Sequence, residues 1–224
     1  MSYDSLLLDF DGVVVNVLPD ERRLPAFRER ITAELMNRDT DAIDDSLVER
    51  LAHSVSPEDL PRLSERVGID PEALWRARDD ALADVLTEAA RDGHKTPYED
   101  VTAVSELDRP VGIVSNNQRR IVESISREFG LAFDAVQARE PHPDSLRRKK
   151  PEPTFLEETV QALGAEEPLF VGDKETDVLA GRRAGLDTVL IRRGHNADRE
   201  VDVEPTYEVD GLDTVVELIG ESPR

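Results

Sequence analysis

The residues best suited to chemistry lie just after short apolar runs. Asp9 and Asp11 follow Leu6-Leu7-Leu8, Ser115 and Asn116 follow Val111-Gly112-Ile113-Val114, and Asp173 follows Leu169-Phe170-Val171-Gly172, with Asp177 four residues on. Clustered carboxylates repel one another unless a cation joins them, and oxygen-only ligands suit Mg²⁺. A bound dication recruits an anion, most often a phosphate. Ser115 and the backbone N–H groups opening the next helix are phosphate donors. Lys150, in Arg147-Arg148-Lys149-Lys150-Pro151, adds positive charge. The set points to phosphoryl transfer. Asp9 is the candidate nucleophile, and Asp11 is placed to protonate a leaving oxygen and later take a proton from water. Singly, each carboxylate reads more readily as a turn or cap residue, and the basic run as a solvated loop; it is their joint position at strand ends that points to chemistry.

That position requires strands whose ends converge. Continuous apolar runs fit strands covered on both faces of a parallel sheet. Asp134-Ala135-Val136 and Thr188-Val189-Leu190-Ile191 add two weaker candidates. Between them, Ile121/Ile125/Phe129, Phe155/Leu156/Val160/Leu163, Val178/Leu179/Ala184 and Leu212/Val215/Val216/Ile219 repeat at helical spacing. Strand alternating with helix predicts an α/β doubly wound parallel sheet, which binds ligands beyond its carboxyl ends. From Asn16 to Lys95 no strand is convincing. Ser56-Pro57-Glu58-Asp59 and Asp70-Pro71-Glu72-Ala73 start helices, Leu74/Ala77/Ala81/Val85/Leu86 continues one, and Thr96-Pro97-Tyr98-Glu99 reads as a capping box for the next. We therefore expect an all-helical insertion over residues 16–95, with 1–15 and 96–224 forming the sheet domain.

With 28 basic and 49 acidic residues the formal charge is −21. Such a surface repels nucleic acid and anionic membrane faces. Without cysteine there is no disulfide, thiolate nucleophile or zinc–sulfur site. No basic-then-apolar leader or spanning segment is visible, so a cytoplasmic protein is expected. Only Lys95, Lys149, Lys150 and Lys174 are lysines; the remaining basic residues are arginine. Lysine depletion with a carboxylate surplus resembles halophilic proteins, whose self-repulsion is screened in molar salt.

Four segments carry a family resemblance. Leu7-Leu8-Asp9-Phe10-Asp11-Gly12-Val13-Val14, Val111-Gly112-Ile113-Val114-Ser115-Asn116, Lys150-Pro151-Glu152-Pro153 and Val171-Gly172-Asp173-Lys174-Glu175-Thr176-Asp177 resemble, in order and spacing, the four motifs of the haloacid dehalogenase-like (HAD) hydrolase superfamily. The resemblance covers nearly the whole chain. It implies a Rossmannoid core, a mobile helical cap over 16–95, Mg²⁺, and an aspartyl-phosphate intermediate. It implies that Asp9, the backbone carbonyl of Asp11, and Asp173 hold the metal, with Asp177 as support. Ser115, Asn116 and Lys150 would bind the phosphoryl group, and Lys150 would also steady the nucleophile. Because Asp11 is present, phosphate rather than halide chemistry is implied. Because no lysine precedes His94, the phosphonate-cleaving branch is not. The expected activity is hydrolysis of a small phosphorylated metabolite, of the phosphoglycolate phosphatase kind. A β-phosphoglucomutase-like phosphomutase is the alternative, although Asp20-Glu21-Arg22-Arg23 lacks that branch's histidine. A non-catalytic phosphate-binding module is the other. Two departures stand out: Asn16 replaces an acid, and Lys174, which we expect to be an exposed charge, replaces a small hydroxyl residue. His94, His142 and His195 read as loop residues, and Trp75 as packing.

Overall fold

The computed structural model describes residues 3–36, 43–53 and 55–220. Among them, strands β1 (Ser5–Leu8), β2 (Val111–Gln118), β3 (Ala135–Arg139), β4 (Pro168–Gly172), β5 (Asp187–Ile191) and β6 (Tyr207–Val209) form one sheet in the order β3-β2-β1-β4-β5-β6. β1 pairs in parallel with β2 and β4, and β5 with β4 and β6. Every residue of β1 is buried, as a central strand covered on both faces requires. Leu8 lies opposite both Ile113 and Val171. This register brings Asp9 and Asp173, just past β1 and β4, to one edge of the sheet beside Ser115, which lies inside β2 because that strand runs three residues beyond it.

The helices are α1 (Asp20–Met36), α2 (Asp45–His53), α3 (Leu60–Val67), α4 (Pro71–Arg91), α5 (Val101–Ser105), α6 (Arg119–Glu128), α7 (Thr154–Leu163), α8 (Glu175–Arg183) and α9 (Leu212–Gly220). Leu7, Val114, Phe155, Leu156, Phe170 and Ala180 join strands to α7 and α8 in one buried cluster. No helix among the described residues is long and apolar enough to cross a membrane.

The chain divides into two compact units. One comprises Met1–Val17, Thr96–Ala138 and Arg148–Arg224, the other Leu18–Lys95 with Arg139–Arg147. The second holds α1 to α4. Phe27, Ile31 and Leu35 form the buried stripe of α1, which packs on α4. Asp70 caps α4 by accepting from the N–H groups of Glu72 and Ala73. Ser56 and Asp59 exchange side-chain-to-backbone bonds ahead of α3. Arg139–Arg147 groups with these helices because Arg139 forks onto Asp79 at 2.9 Å twice. The guanidinium groups of Arg78 and Arg139 sit 5.1 and 4.9 Å from the buried Trp75 ring, so Trp75 is packing.

One expectation fails locally. Thr96–Glu99 opens no helix; α5 begins at Val101. The Thr96 backbone is used instead by Asn16, which donates its N–H to the Thr96 carbonyl and accepts the Thr96 N–H on Oδ1, both at 2.9 Å. The departure at Asn16 thus closes the base of the insertion.

Candidate active site

Asp9 is buried where β1 ends, and its Oδ1 accepts from the Phe10 N–H at 2.7 Å and pairs with Lys150 Nζ at 2.8 Å. Lys150 Nζ also reaches Asp177 Oδ1 and the Val114 carbonyl, each at 2.8 Å. Burial pushes the Asp9 carboxyl up to about 7 despite Lys150, with Asp177 adding to the rise. Burial alone would lower the Lys150 amine, but Asp177 and Asp9 hold it above its ordinary value.

Asp173 and Asp177 flank the turn from β4 into α8. Asp177 Oδ2 accepts from the N–H groups of Asp173 and Lys174 at 3.2 and 3.0 Å. Gly172 is required here, because a Cβ would lie 2.1 Å from that of Asp177. Gly12 is required twice over: its φ is +96°, and a Cβ would lie 2.3 Å from Asp173 Oδ2. Carboxylate oxygens of Asp9, Asp173 and Asp177 fall within 4.8 Å of one another, all buried. This set of hard oxygen donors fits Mg²⁺.

The remaining expected residues converge on the same edge. Ser115 is buried, and its Oγ accepts the Asn117 N–H at 3.1 Å. The Asn116 carboxamide turns to Lys150, accepting its N–H at 2.7 Å and donating to its carbonyl at 3.0 Å. Asp11 is half-buried, and its Oδ2 accepts from Asn117 Nδ2 at 3.0 Å.

Four residues enter that the sequence reading did not nominate. His195 Nε2 lies 2.7 Å from Asp173 Oδ2. Asn196 donates to the Asp173 carbonyl at 2.7 Å. Asn117 orients Asp11. Tyr98 faces His195 Nδ1 across 3.4 Å. Lys174 is not merely an exposed charge, since its Nζ takes the other oxygen of Asp173 at 2.9 Å. Burial opposes ionisation of Asp173, but His195 and Lys174 hold its carboxyl below the ordinary range. A side chain reaching back from 22 residues away leaves no spacing signal; for Lys174, adjacency to Asp173 was the available cue.

A family profile described as haloacid dehalogenase-like hydrolase matches residues 3–185. The chain is 28% identical to pyrophosphatase PpaX of Halalkalibacterium halodurans, over all of both chains. It is 29% identical to a phosphoglycolate phosphatase of Vibrio cholerae, over 70% of this chain and 73% of that one. Its fold superposes on that of CbbY from Rhodobacter sphaeroides with a TM-score of 0.67, at 15% identity, over 95% and 96% of the two chains. The chain therefore belongs to the haloacid dehalogenase-like hydrolases.

Proposed function

We propose that the protein is a Mg²⁺-dependent phosphatase acting on a small phosphorylated metabolite through an aspartyl-phosphate. The observation that carries this reading is Asp9: its Oδ1 is fixed by Lys150 and the Phe10 N–H, and its carboxylate joins those of Asp173 and Asp177 in one buried cluster. The relatives' names, a pyrophosphatase and a phosphoglycolate phosphatase, support the same class.

Asp9, Asp173 and the Asp11 backbone would hold the ion, supported by Asp177. When bound, it supplies positive charge against the carboxylates and the phosphoryl oxygens. Asp9 attacks phosphorus in line as the ester oxygen departs, and Asp11 gives that oxygen its proton. Ser115 donates its hydroxyl to the phosphoryl oxygens. Asp11, now ionised, takes a proton from water, whose oxygen attacks phosphorus. Phosphate leaves and the Asp9 carboxylate returns. Lys150 keeps Asp9 paired throughout, and Asn117 keeps Asp11 oriented. In this reading the helical unit acts as the cap that selects substrate, and the enzyme works in a salt-rich cytoplasm.

The test is phosphate release from p-nitrophenyl phosphate and a metabolite panel, with Mg²⁺ and with a chelator. Turnover should require Mg²⁺ and vanish in Asp9→Asn. Activity retained in that variant would refute the nucleophile assignment, and no turnover by the wild type would refute the phosphatase.

A further inference from the structure

Lys150 has no N–H to spare. A protonated amine carries three donors, and Lys150 places them on Asp9, Asp177 and the Val114 carbonyl. Its side chain is 1% exposed. All three donors are directed at the protein itself, and they neutralise the two carboxylates.

The second ammonium of the cluster differs on each count. Lys174 Nζ bonds Asp173 Oδ1 at 2.9 Å, which uses one of the three donors an ammonium carries, and its side chain is 40% exposed. The position is also a poor one for a lysine. Lys174 is the N-cap of α8, where serine, threonine, aspartate or asparagine would accept backbone N–H bonds. Its charge opposes the helix dipole, and its own backbone N–H is taken by Asp177 Oδ2 at 3.0 Å. Of the 28 basic residues only four are lysines. What Lys174 gains here is the ion pair with the buried Asp173 carboxylate, made by a side chain that solvent still reaches.

The sheet order indicates what Lys174 meets. β1 lies between β2 and β4, so Ser115 and Lys174 approach Asp9 from opposite sides. The ends of β2 and β4 are two strand spacings apart, about 10 Å. A phosphoryl group seated over Asp9 against Ser115 leaves Lys174 to face whatever adjoins it.

We propose that Lys174 binds a second anionic group carried by the substrate beside the phosphoester that is cleaved. The preferred substrates are then diphosphates or phosphorylated hydroxy acids rather than phosphate esters of neutral alcohols. The proposal rests on the phosphatase reading above. In a chain of net charge −21, a local cation offsets the repulsion such a substrate meets.

The experiment compares wild type, Lys174→Ser and Lys174→Arg at saturating Mg²⁺ on pyrophosphate, 2-phosphoglycolate and p-nitrophenyl phosphate. Lys174→Ser should lower kcat/KM on at least one of the two doubly anionic substrates, mainly through KM, by about tenfold more than it does on p-nitrophenyl phosphate, whose own loss reads the effect through Asp173. Lys174→Arg should keep most of the wild-type value. A loss confined to pyrophosphate assigns the diphosphate, and one confined to 2-phosphoglycolate assigns the carboxylate. Serine is the better N-cap, so an unchanged or raised melting temperature should accompany the change. Equal losses on all three substrates, or none, overturn the proposal. Absence of wild-type turnover on every substrate would instead remove the phosphatase reading beneath it.

Discussion

The carboxamide of Asn116 exchanges two hydrogen bonds with the backbone of Lys150, accepting its N–H at 2.7 Å and donating to its carbonyl at 3.0 Å. The end of β2 thereby fixes the segment that delivers the buried ammonium to Asp9. Asn116 is then a positioning residue through its side chain. Asn116→Ala leaves two backbone groups unpaired in a half-buried place. We expect kcat to fall about tenfold to a hundredfold, at about 1 kcal/mol per lost bond, with KM for a monoester little changed. Asn116→Asp keeps the acceptor and should fall between. A KM effect without a kcat effect would contradict the positioning role.

His195 and Lys174 take one oxygen each of Asp173. Partners that orient a metal-ligating carboxylate typically change metal affinity by about tenfold to a hundredfold when removed. His195→Ala should weaken Mg²⁺ binding on that scale, read by calorimetric titration without substrate. His195→Gln, which restores a donor, should recover part of the loss. Wild-type affinity in His195→Ala would show that the contact at Asp173 is incidental.

Asp9 gives a pH dependence with a definite sign. Its carboxyl moves from an ordinary 3.8 to about 7 in the folded protein, burial being the main cause. Between those values the folded form keeps a proton that the unfolded chain has released. Its contribution to stability therefore falls as pH rises through that window, and is flat above about 7. Asp9→Asn removes this slope. In chelator, the stability advantage of Asp9→Asn over wild type should grow from pH 5 to pH 7 and then level, as followed by urea unfolding. A difference that does not vary with pH would mean that Asp9 is ionised throughout.

The ends of β1, β2 and β4 were legible because a central parallel strand must be apolar on both faces, so the first polar residue after the run marks its exit. Asp9 and Asp173 are such residues; Ser115 is not, because β2 runs on to Gln118, yet the register of Leu8 with Ile113 and Val171 still brings it within a residue of their level. β6 was not legible: Tyr207-Glu208-Val209 is an edge strand of three residues with an acid at its centre. The roles of His195 and Asn196 were hidden for another reason. Both sit in the loop after β5, where no periodicity constrains side-chain direction, and only the folded chain returns them to Asp173. Arg139 was hidden likewise, since nothing at the end of β3 announces a partner at Asp79.

The charge balance makes the last prediction. Ion pairs such as Arg30–Glu88, Arg50–Asp59 and Arg147–Glu58 are solvent-exposed and contribute little each. They leave a surplus of carboxylates behind the net charge of −21. Their mutual repulsion is screened as the Debye length shrinks from about 10 Å at 0.1 M salt to about 3 Å at 1 M. The buried contacts of Lys150 with Asp9 and Asp177 are screened far less, so salt should relieve the surface without loosening the site. The melting temperature should therefore climb steeply between 0.1 and 1 M KCl and flatten beyond, because screening saturates once its range is shorter than the spacing of surface charges. A melting temperature independent of KCl would show that repulsion is not the limiting cost. A rise that continued unabated well above 1 M would point instead to ion exclusion from the apolar surface.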